Sequence, residues 1–186
     1  MDFSRIKIGI FCSSKDSALP VFEQSVVMLM QILNEIGIRN IVYGGGKKGL
    51  MGIVYREAVM YRMNLIGHNL DRWSSPECEN EILYHTLVER QAGLIASCHM
   101  FIALPGGIGT VYEIIQVLCH NDVDHIQKPV LLYNVNSFFT NLVVTLQDIH
   151  RNGLIDSNLG LAVINSNEEL VRQVVGYTNE LAQHHE

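Results

Sequence analysis

The sequence has no excess of positive charge, no long apolar run and no paired cysteines. Its 13 Lys and Arg residues against 19 Asp and Glu residues give a formal net charge of −6. This balance argues against non-specific nucleic-acid binding, because such binding needs a basic face. No apolar stretch approaches the ~20 residues that a helix needs to cross a bilayer. The four cysteines form no C-x-x-C pair, so we interpret them as buried thiols in a reducing compartment.

The amino-terminal residues do not have the pattern of a secretory signal peptide, since Asp2 is followed by only a brief apolar run. We therefore expect a soluble, cytoplasmic protein that binds neither nucleic acid nor membrane. A length of 186 residues with 48% hydrophobic residues predicts one domain over residues 1–186. No metal site is expected, because the adjacent pairs Cys98-His99 and Cys119-His120 have side chains that diverge.

Short apolar runs alternate with segments of helical period along the whole chain. We predict strands at residues 6–12, 40–43, 64–67, 100–104, 128–133 and 161–164. Helices are predicted from Ser17 to Gly37, over residues 53–62, 80–97 and 138–150, after Thr110, and from Ser166 or Asn167 onward. Residues 68–79 are interpreted as a surface loop, with a flap over a site as the alternative. Such alternation indicates an α/β fold, a parallel sheet covered on both faces.

The stretch from Phe101 to Glu113 predicts a strand, a glycine turn and a helix. Gly106, Gly107 and Gly109 let a ligand approach the backbone, and the start of the helix offers unpaired N–H groups that suit a phosphate. Glu113 lies about one turn inside this helix, where it either reacts with a bound ligand or only complements the helix dipole. The dinucleotide fingerprint is excluded, because Tyr112 stands where its third glycine belongs.

A second glycine-rich turn, residues 44–52, follows the predicted strand at residues 40–43. It is not a Walker loop, because Leu50 occupies the place of the required lysine. Since the carboxyl ends of parallel strands meet at one edge of a sheet, both glycine turns are expected there. Two such turns at one edge predict a site for a small phosphorylated molecule. Ser14 either bonds this phosphate or only caps its own turn.

These motifs resemble those of the LOG (Lonely Guy) proteins, a family formerly labelled lysine decarboxylases. Pro105-Gly-Gly-Ile-Gly-Thr-Val-Tyr-Glu113 matches the family signature P-G-G-x-G-T-x-x-E, and the stretch from Tyr43 to Gly52 is similar to its second hallmark. Further similar segments lie at residues 128–136 and 152–155. The resemblance implies a Rossmann-like, doubly wound parallel sheet with helices on both faces, and a homodimer. The apolar helix residues Val54, Val59, Met60, Leu94 and Ile95 are candidates for the dimer interface.

The resemblance also implies hydrolysis of the N-glycosidic bond of a nucleoside 5′-monophosphate, without a cofactor. The implied catalytic pair is Glu113 and Arg90. For Arg90 the residues alone leave open a surface salt bridge with Glu89 or another neighbour. The expected phosphate and substrate contacts are Gly106, Gly107, Ile108, Gly109, Thr110, Ser14, Gly45, Gly46 and Met51.

The chain departs from the family pattern at several positions. Gln91 follows Arg90 where the family usually has lysine, His68 and Asn69 stand in place of a V-I pair, and His120 replaces a frequent tryptophan. These departures favour a second hypothesis, a nucleotide or nucleotide-cofactor carrier without catalytic activity, similar to molybdenum-cofactor carriers. A third hypothesis, a PLP-dependent decarboxylase, is supported only by the older family label.

Overall fold

The computed structural model describes residue 3 and residues 5–16, 19–74, 80–155 and 159–183. Seven strands form one parallel sheet in the order β4-β3-β2-β1-β5-β6-β7. The strands are β1 (Lys7–Phe11), β2 (Asn40–Tyr43), β3 (Asn64–Leu70), β4 (Glu81–Tyr84), β5 (Met100–Ala103), β6 (Val130–Tyr133) and β7 (Leu161–Ile164). The helices are α1 (Pro20–Glu35), α2 (Gly49–Met60), α3 (Leu87–Ser97), α4 (Ile108–Val123), α5 (Thr140–Arg151) and α6 (Asn167–Gln183).

Each face of the sheet has its own hydrophobic core, because side chains alternate along the strands. On one face Ile8, Ile41 and Ile102 pack against α1, α2 and α6. On the other face Phe11 and Phe101 stack with ring centroids 5.0 Å apart, beside α3, α4 and α5. The predicted doubly wound sheet with helices on both faces is therefore confirmed.

The chain reverses its direction of winding across the sheet at β1. From β1 the strands proceed through β2 to β4 on one side, and β5 then pairs with β1 on the other side. In open α/β sheets such a reversal leaves a crevice at the carboxyl ends of the two diverging strands. This crevice is where the loops after β1 and β5 meet.

Local sequence accounts for the ends of α1. Pro20 is at the first helical position, where its missing N–H costs no hydrogen bond. Gly37 has a φ of +90° and the amide of Ile38 bonds the carbonyl of Leu33, which ends the helix as predicted. Ser17, the predicted start of this helix, lies outside the described residues.

The predictions for residues 68–97 are partly wrong. Residues 68–70 continue β3, and residues 81–84 form the edge strand β4 instead of the first turn of a helix. Ile82 and Leu83 are adjacent, both apolar and both exposed in β4. The segment therefore lacks the alternation of apolar and polar residues that would predict a strand. Its backbone pairing with β3 decides the conformation instead. Residues 75–79 of the predicted loop lie outside the described residues.

Candidate functional site

Three loops converge at the carboxyl edge of β1, β2 and β5. The amide of Ser13, after β1, donates to the carbonyl of Pro105, after β5, at 3.3 Å. The carbonyl of Ser13 accepts from the amide of Met51, in the first turn of α2, at 3.1 Å. The backbone of one residue thus ties together both glycine-rich turns. Ser14, which follows, is exposed.

The loop after β5 leaves the first turn of α4 open. Gly107 is at the N-cap position, and no side chain in the described part of the chain caps the helix. Gly107, Ile108 and Gly109 are exposed. Thr110 is buried and folds back over Gly106, where an added Cβ would lie 2.1 Å from the Thr110 hydroxyl oxygen. Gly106 is therefore required for this turn to close. Exposed amides at a helix N-terminus are suited to bind a phosphate.

The glycine turn after β2 has a different geometry. The amide of Gly49 donates to the Asp16 carboxylate at 3.3 Å, so the first turn of α2 already bonds the protein itself. A Cβ at Gly44 would lie 2.7 Å from Nη2 of Arg90, and one at Gly46 would lie 2.9 Å from the sulfur of Met51. Two long side chains pass against the backbone here, and Gly44 leaves the space that the buried Arg90 guanidinium occupies. Gly45 packs against Asn69 at φ +78°.

Arg90 and Glu113 form a buried ion pair between α3 and α4. Nη1 of Arg90 lies 3.2 Å from Oε1 of Glu113, and the two residues are only 6% and 5% exposed. The Arg90 Nε–H donates to the carbonyl of His68 at 2.7 Å, and Nη2 donates to the carbonyl of Gly44 at 3.5 Å. The guanidinium is thus held on three sides. The alternative of a surface salt bridge with Glu89 is wrong: Glu89 belongs to the capping box that begins α3 at Thr86.

One oxygen of the Glu113 carboxylate, Oε1, accepts hydrogen bonds from neighbouring side chains. Arg90 and the side-chain amide of Gln91, at 3.5 Å, both donate to Oε1. Among the described residues, none donates a hydrogen bond to Oε2. Burial raises the pKa of the Glu113 carboxyl above its ordinary value, and the charge and hydrogen bond of Arg90 only partly offset this effect. The site therefore holds a desolvated carboxylate with one oxygen left for another partner.

Gln91 is the part of this arrangement that the residue pattern did not assign to the site. It is 2% exposed and contacts the same carboxylate oxygen as Arg90. The site also includes Cys12, at the end of β1, whose thiol is buried close enough to Glu113 for the carboxylate charge to act on it. Burial, followed by the charge of Glu113, raises the pKa of this thiol far above its ordinary value. In the sequence, the position of Cys12 directly before the predicted turn at Ser13 is the feature that indicates its place at the site.

Taken together, the predicted site residues divide into two groups. Arg90, Glu113 and Thr110 are buried, whereas Ser14 and the three residues from Gly107 to Gly109 are exposed. Within the described ranges, no group of three or more His, Cys, Asp or Glu side chains is arranged to hold a metal ion. A membrane-crossing helix would need greater length and apolarity than any helix in those ranges has.

Comparison with known proteins identifies the family. Residues 42–174 match the family described as "possible lysine decarboxylase". The cytokinin riboside 5′-monophosphate phosphoribohydrolase LOG4 of Arabidopsis thaliana is 30% identical over 181 residues, which cover 92% of this chain and 83% of that protein. The chain belongs to the LOG family. A second cytokinin riboside 5′-monophosphate phosphoribohydrolase of Arabidopsis thaliana, LOG7, is 29% identical, and the match covers 95% of this chain and 85% of LOG7.

The fold is also shared with proteins of a different description. The moco carrier protein of Chlamydomonas reinhardtii superposes with a TM-score of 0.71 over 95% of this chain and 99% of its own, at 18% identity. This similarity supports the Rossmann-like fold. At this identity it does not bear on the activity of the chain.

Proposed function

We propose that this LOG-family protein hydrolyses the N-glycosidic bond of a nucleoside 5′-monophosphate, giving the free base and ribose 5-phosphate. The observation that carries the proposal is the buried Glu113 carboxylate, whose Oε2 accepts no hydrogen bond from the described residues. It lies about one helical turn from the exposed residues that begin α4. The amides of residues 106–110 and the Thr110 hydroxyl bind the 5′-phosphate. The ribose then extends from the phosphate toward Glu113.

The chemistry of the bond accounts for a carboxylate at this position. As the bond between C1′ and the base nitrogen breaks, positive charge develops on C1′, and a nearby carboxylate stabilises it. Oε2 of Glu113 is the oxygen available for this role and for accepting a proton from the attacking water. The water supplies the hydroxyl group of ribose 5-phosphate, and the departing base takes up one proton from solvent. Glu113 returns the proton that it accepted to solvent, so protons balance and the carboxylate is ionised again. No metal or redox cofactor is needed for these steps.

Arg90 has two roles in this proposal. Its charge favours the ionised form of Glu113 and so opposes the effect of burial, because an adjacent cation lowers the pKa of a carboxyl group. Its three hydrogen bonds hold the carboxylate at a defined position relative to the phosphate loop. Preorganisation of this kind avoids reorganisation at the moment of reaction.

The substrate is a purine nucleoside monophosphate in this proposal. The LOG relatives are named for cytokinin riboside 5′-monophosphates, which are N6-substituted adenine nucleotides, so AMP and N6-isopentenyl-AMP are the first substrates to test. A panel of nucleoside 5′-monophosphates, with identification of the released base and of ribose 5-phosphate, tests the proposal. Turnover of at least one member supports it, and turnover of none contradicts it.

A carrier of nucleotides or nucleotide cofactors is the second candidate. Gln91 favours it, because this neutral side chain brings no second cation to the carboxylate and so places less charge around a reacting centre. A carrier would be stabilised against heat by its ligand without turnover, since a ligand that binds only the folded state raises the unfolding temperature. The same panel, followed by thermal unfolding, separates the two functions.

We also propose a homodimer formed through α4. Exposed apolar side chains follow one stripe of this helix at spacings of three, four and eight residues: Ile108, Tyr112, Ile115 and Val123. A helix face of this kind is suited to a second copy of the same helix. Of the interface candidates chosen from the sequence, Val54, Leu94 and Ile95 are wrong, because they belong to the monomer core. Val59 and Met60 are exposed on α2.

A further inference from the structure

A buried histidine lies directly behind the ion pair. His68 is on β3, is 1% exposed, and its ring contacts two hydroxyl groups. Nδ1 lies 2.9 Å from the hydroxyl of Tyr84 on β4, and Nε2 lies 3.2 Å from the hydroxyl of Ser97 on α3. The His68 and Tyr84 rings stack with centroids 5.6 Å apart. None of these three residues belongs to the two glycine motifs.

The direction of each hydrogen bond follows from the Ser97 hydroxyl. Its proton is donated to the carbonyl of Leu94 at 2.9 Å, so the oxygen accepts from Nε2–H of His68. A neutral imidazole carries one N–H, so Nδ1 is an acceptor and the Tyr84 hydroxyl donates to it. Burial, followed by the charges of Arg90 and Lys7, lowers the pKa of His68 to about 4. The ring is therefore neutral at physiological pH, in the Nε2–H form.

This chain of hydrogen bonds is connected to Arg90 through the backbone of the histidine. The His68 carbonyl accepts from Arg90 Nε–H at 2.7 Å, the shortest of the three bonds that hold the guanidinium. Arg90, Gly93 and Ser97 lie on one face of α3 at helical spacing. A Cβ at Gly93 would lie 2.1 Å from the Tyr84 hydroxyl. Glycine at this position therefore lets the tyrosine reach the histidine between strand and helix.

We propose that Tyr84, His68 and Ser97 are positioning residues that set the orientation of Arg90 against Glu113. The chain of hydrogen bonds fixes the His68 peptide relative to α3, and that peptide directs the Arg90 Nε–H. The effect on catalysis rests on the proposed hydrolase function, whereas the effect on Arg90 does not. The residues act through Arg90 and do not contact the substrate.

The first test measures Arg90 without any substrate. In the NMR spectrum, the Nε–H proton of Arg90 should exchange with solvent slowly in the wild-type protein. In Tyr84→Phe and Gly93→Ala it should exchange about threefold to tenfold faster, the range that the loss of one neutral hydrogen bond covers. Tyr177→Phe, which removes a hydroxyl from α6, is the matched control and should exchange at the wild-type rate. Ring nitrogen shifts should show His68 as the neutral Nε2–H form.

The second test is a double-mutant cycle on kcat/KM for the nucleotide that is turned over. Tyr84→Phe should lower kcat/KM about threefold to tenfold in wild-type protein, mainly through kcat. In Arg90→Lys, which lacks the Nε–H that His68 accepts, the same substitution should change kcat/KM by less than about twofold. If Tyr84→Phe changed kcat/KM equally in both backgrounds, the proposal would be overturned. An unchanged exchange rate of the Arg90 Nε–H in Tyr84→Phe would also overturn it, and so would ring nitrogen shifts that show His68 in the Nδ1–H form. Absence of turnover by the wild type would contradict the hydrolase function, while the exchange measurement would still decide the positioning role.

Discussion

The side-chain amide of Gln91 lies 3.5 Å from Oε1 of Glu113, where it offers a hydrogen bond without a charge. Arg90 reaches the same oxygen at 3.2 Å and is, among the described residues, the one cation paired with this buried carboxylate. The LOG pattern usually has lysine at the position of Gln91. This one difference changes the electrostatics of the site while leaving its architecture intact.

Gln91→Lys should move the acid limb of the activity profile to lower pH. Burial raises the pKa of Glu113, so the ionised form is lost at a pH above the ordinary range as the solution is acidified. A lysine at position 91 adds a cation beside the carboxylate and lowers that pKa. The pH dependence of kcat/KM measures the shift. Gln24→Lys is the control, because it adds the same charge on the exposed face of α1 and should leave the acid limb of the profile unchanged. A shift of the acid limb toward higher pH in Gln91→Lys would contradict this account.

Arg90→Ala should cost both activity and stability. It leaves the Glu113 carboxylate buried without its cation, and breaking a buried pair in this way destabilises a protein by about 3–5 kcal/mol. Urea unfolding at pH 7 measures the loss. Replacing both partners, as Arg90→Met with Glu113→Leu, removes the unpaired charge and should recover part of the lost stability, while activity stays absent. Recovery is only partial because the carbonyls of His68 and Gly44 lose the Arg90 donor. A double variant no more stable than Arg90→Ala would show that the pair is not the source of the effect.

The 5′-phosphate should be obligatory for turnover. A charge-assisted hydrogen bond contributes about 1.5–3 kcal/mol, and two or three of them, allowing for non-additivity, leave roughly 4 kcal/mol, or about a thousandfold. AMP should therefore exceed adenosine in kcat/KM by at least ~100-fold, with part of the difference in kcat because the phosphate also positions C1′. Thr110→Val should narrow this ratio and Thr145→Val, on α5, should not. Equal cleavage of the two compounds would exclude a phosphate site at α4.

The protein should have the mass of a dimer in light scattering at micromolar concentration. Val123→Glu, at the end of α4 away from the phosphate loop, places a charge in the apolar stripe and should shift the mass toward the monomer. Val59, on α2, is also an exposed valine, and Val59→Glu should leave the mass unchanged. A monomeric wild type would contradict the proposed interface.

The sheet and its glycine turns could be predicted from the sequence because each depends on local pattern. Runs such as residues 100–104 and 41–43 are continuous and apolar, as is typical of strands buried on both faces. Their order along the chain then puts both turns at one edge. The edge strand β4 could not be predicted in this way, since Ile82 and Leu83 carry no alternation and only pairing with β3 makes the segment extended.

The contacts within the site depend on packing that local pattern does not contain. Arg90 and Glu113 were expected as a pair through the family motif, but the carbonyl of Gly44, 46 residues away, holds the guanidinium only because β2 and α3 come together. The role of the glycines at residues 44–46 in admitting Arg90 and Met51 follows from distances between atoms. The sequence predicts a loop at His68, because only the pairing of β3 with its neighbours extends the strand to Leu70.

The most direct test of the central claim compares two glutamate variants in one assay of ribose 5-phosphate release from AMP and N6-isopentenyl-AMP. Glu113→Gln keeps the shape of the side chain and removes the charge that stabilises the developing cation at C1′. Glu180→Gln makes the same change on the exposed surface of α6. We predict release by the wild type and Glu180→Gln and loss of at least ~100-fold in kcat for Glu113→Gln, with the fold retained by circular dichroism. Undiminished release by Glu113→Gln would contradict the account.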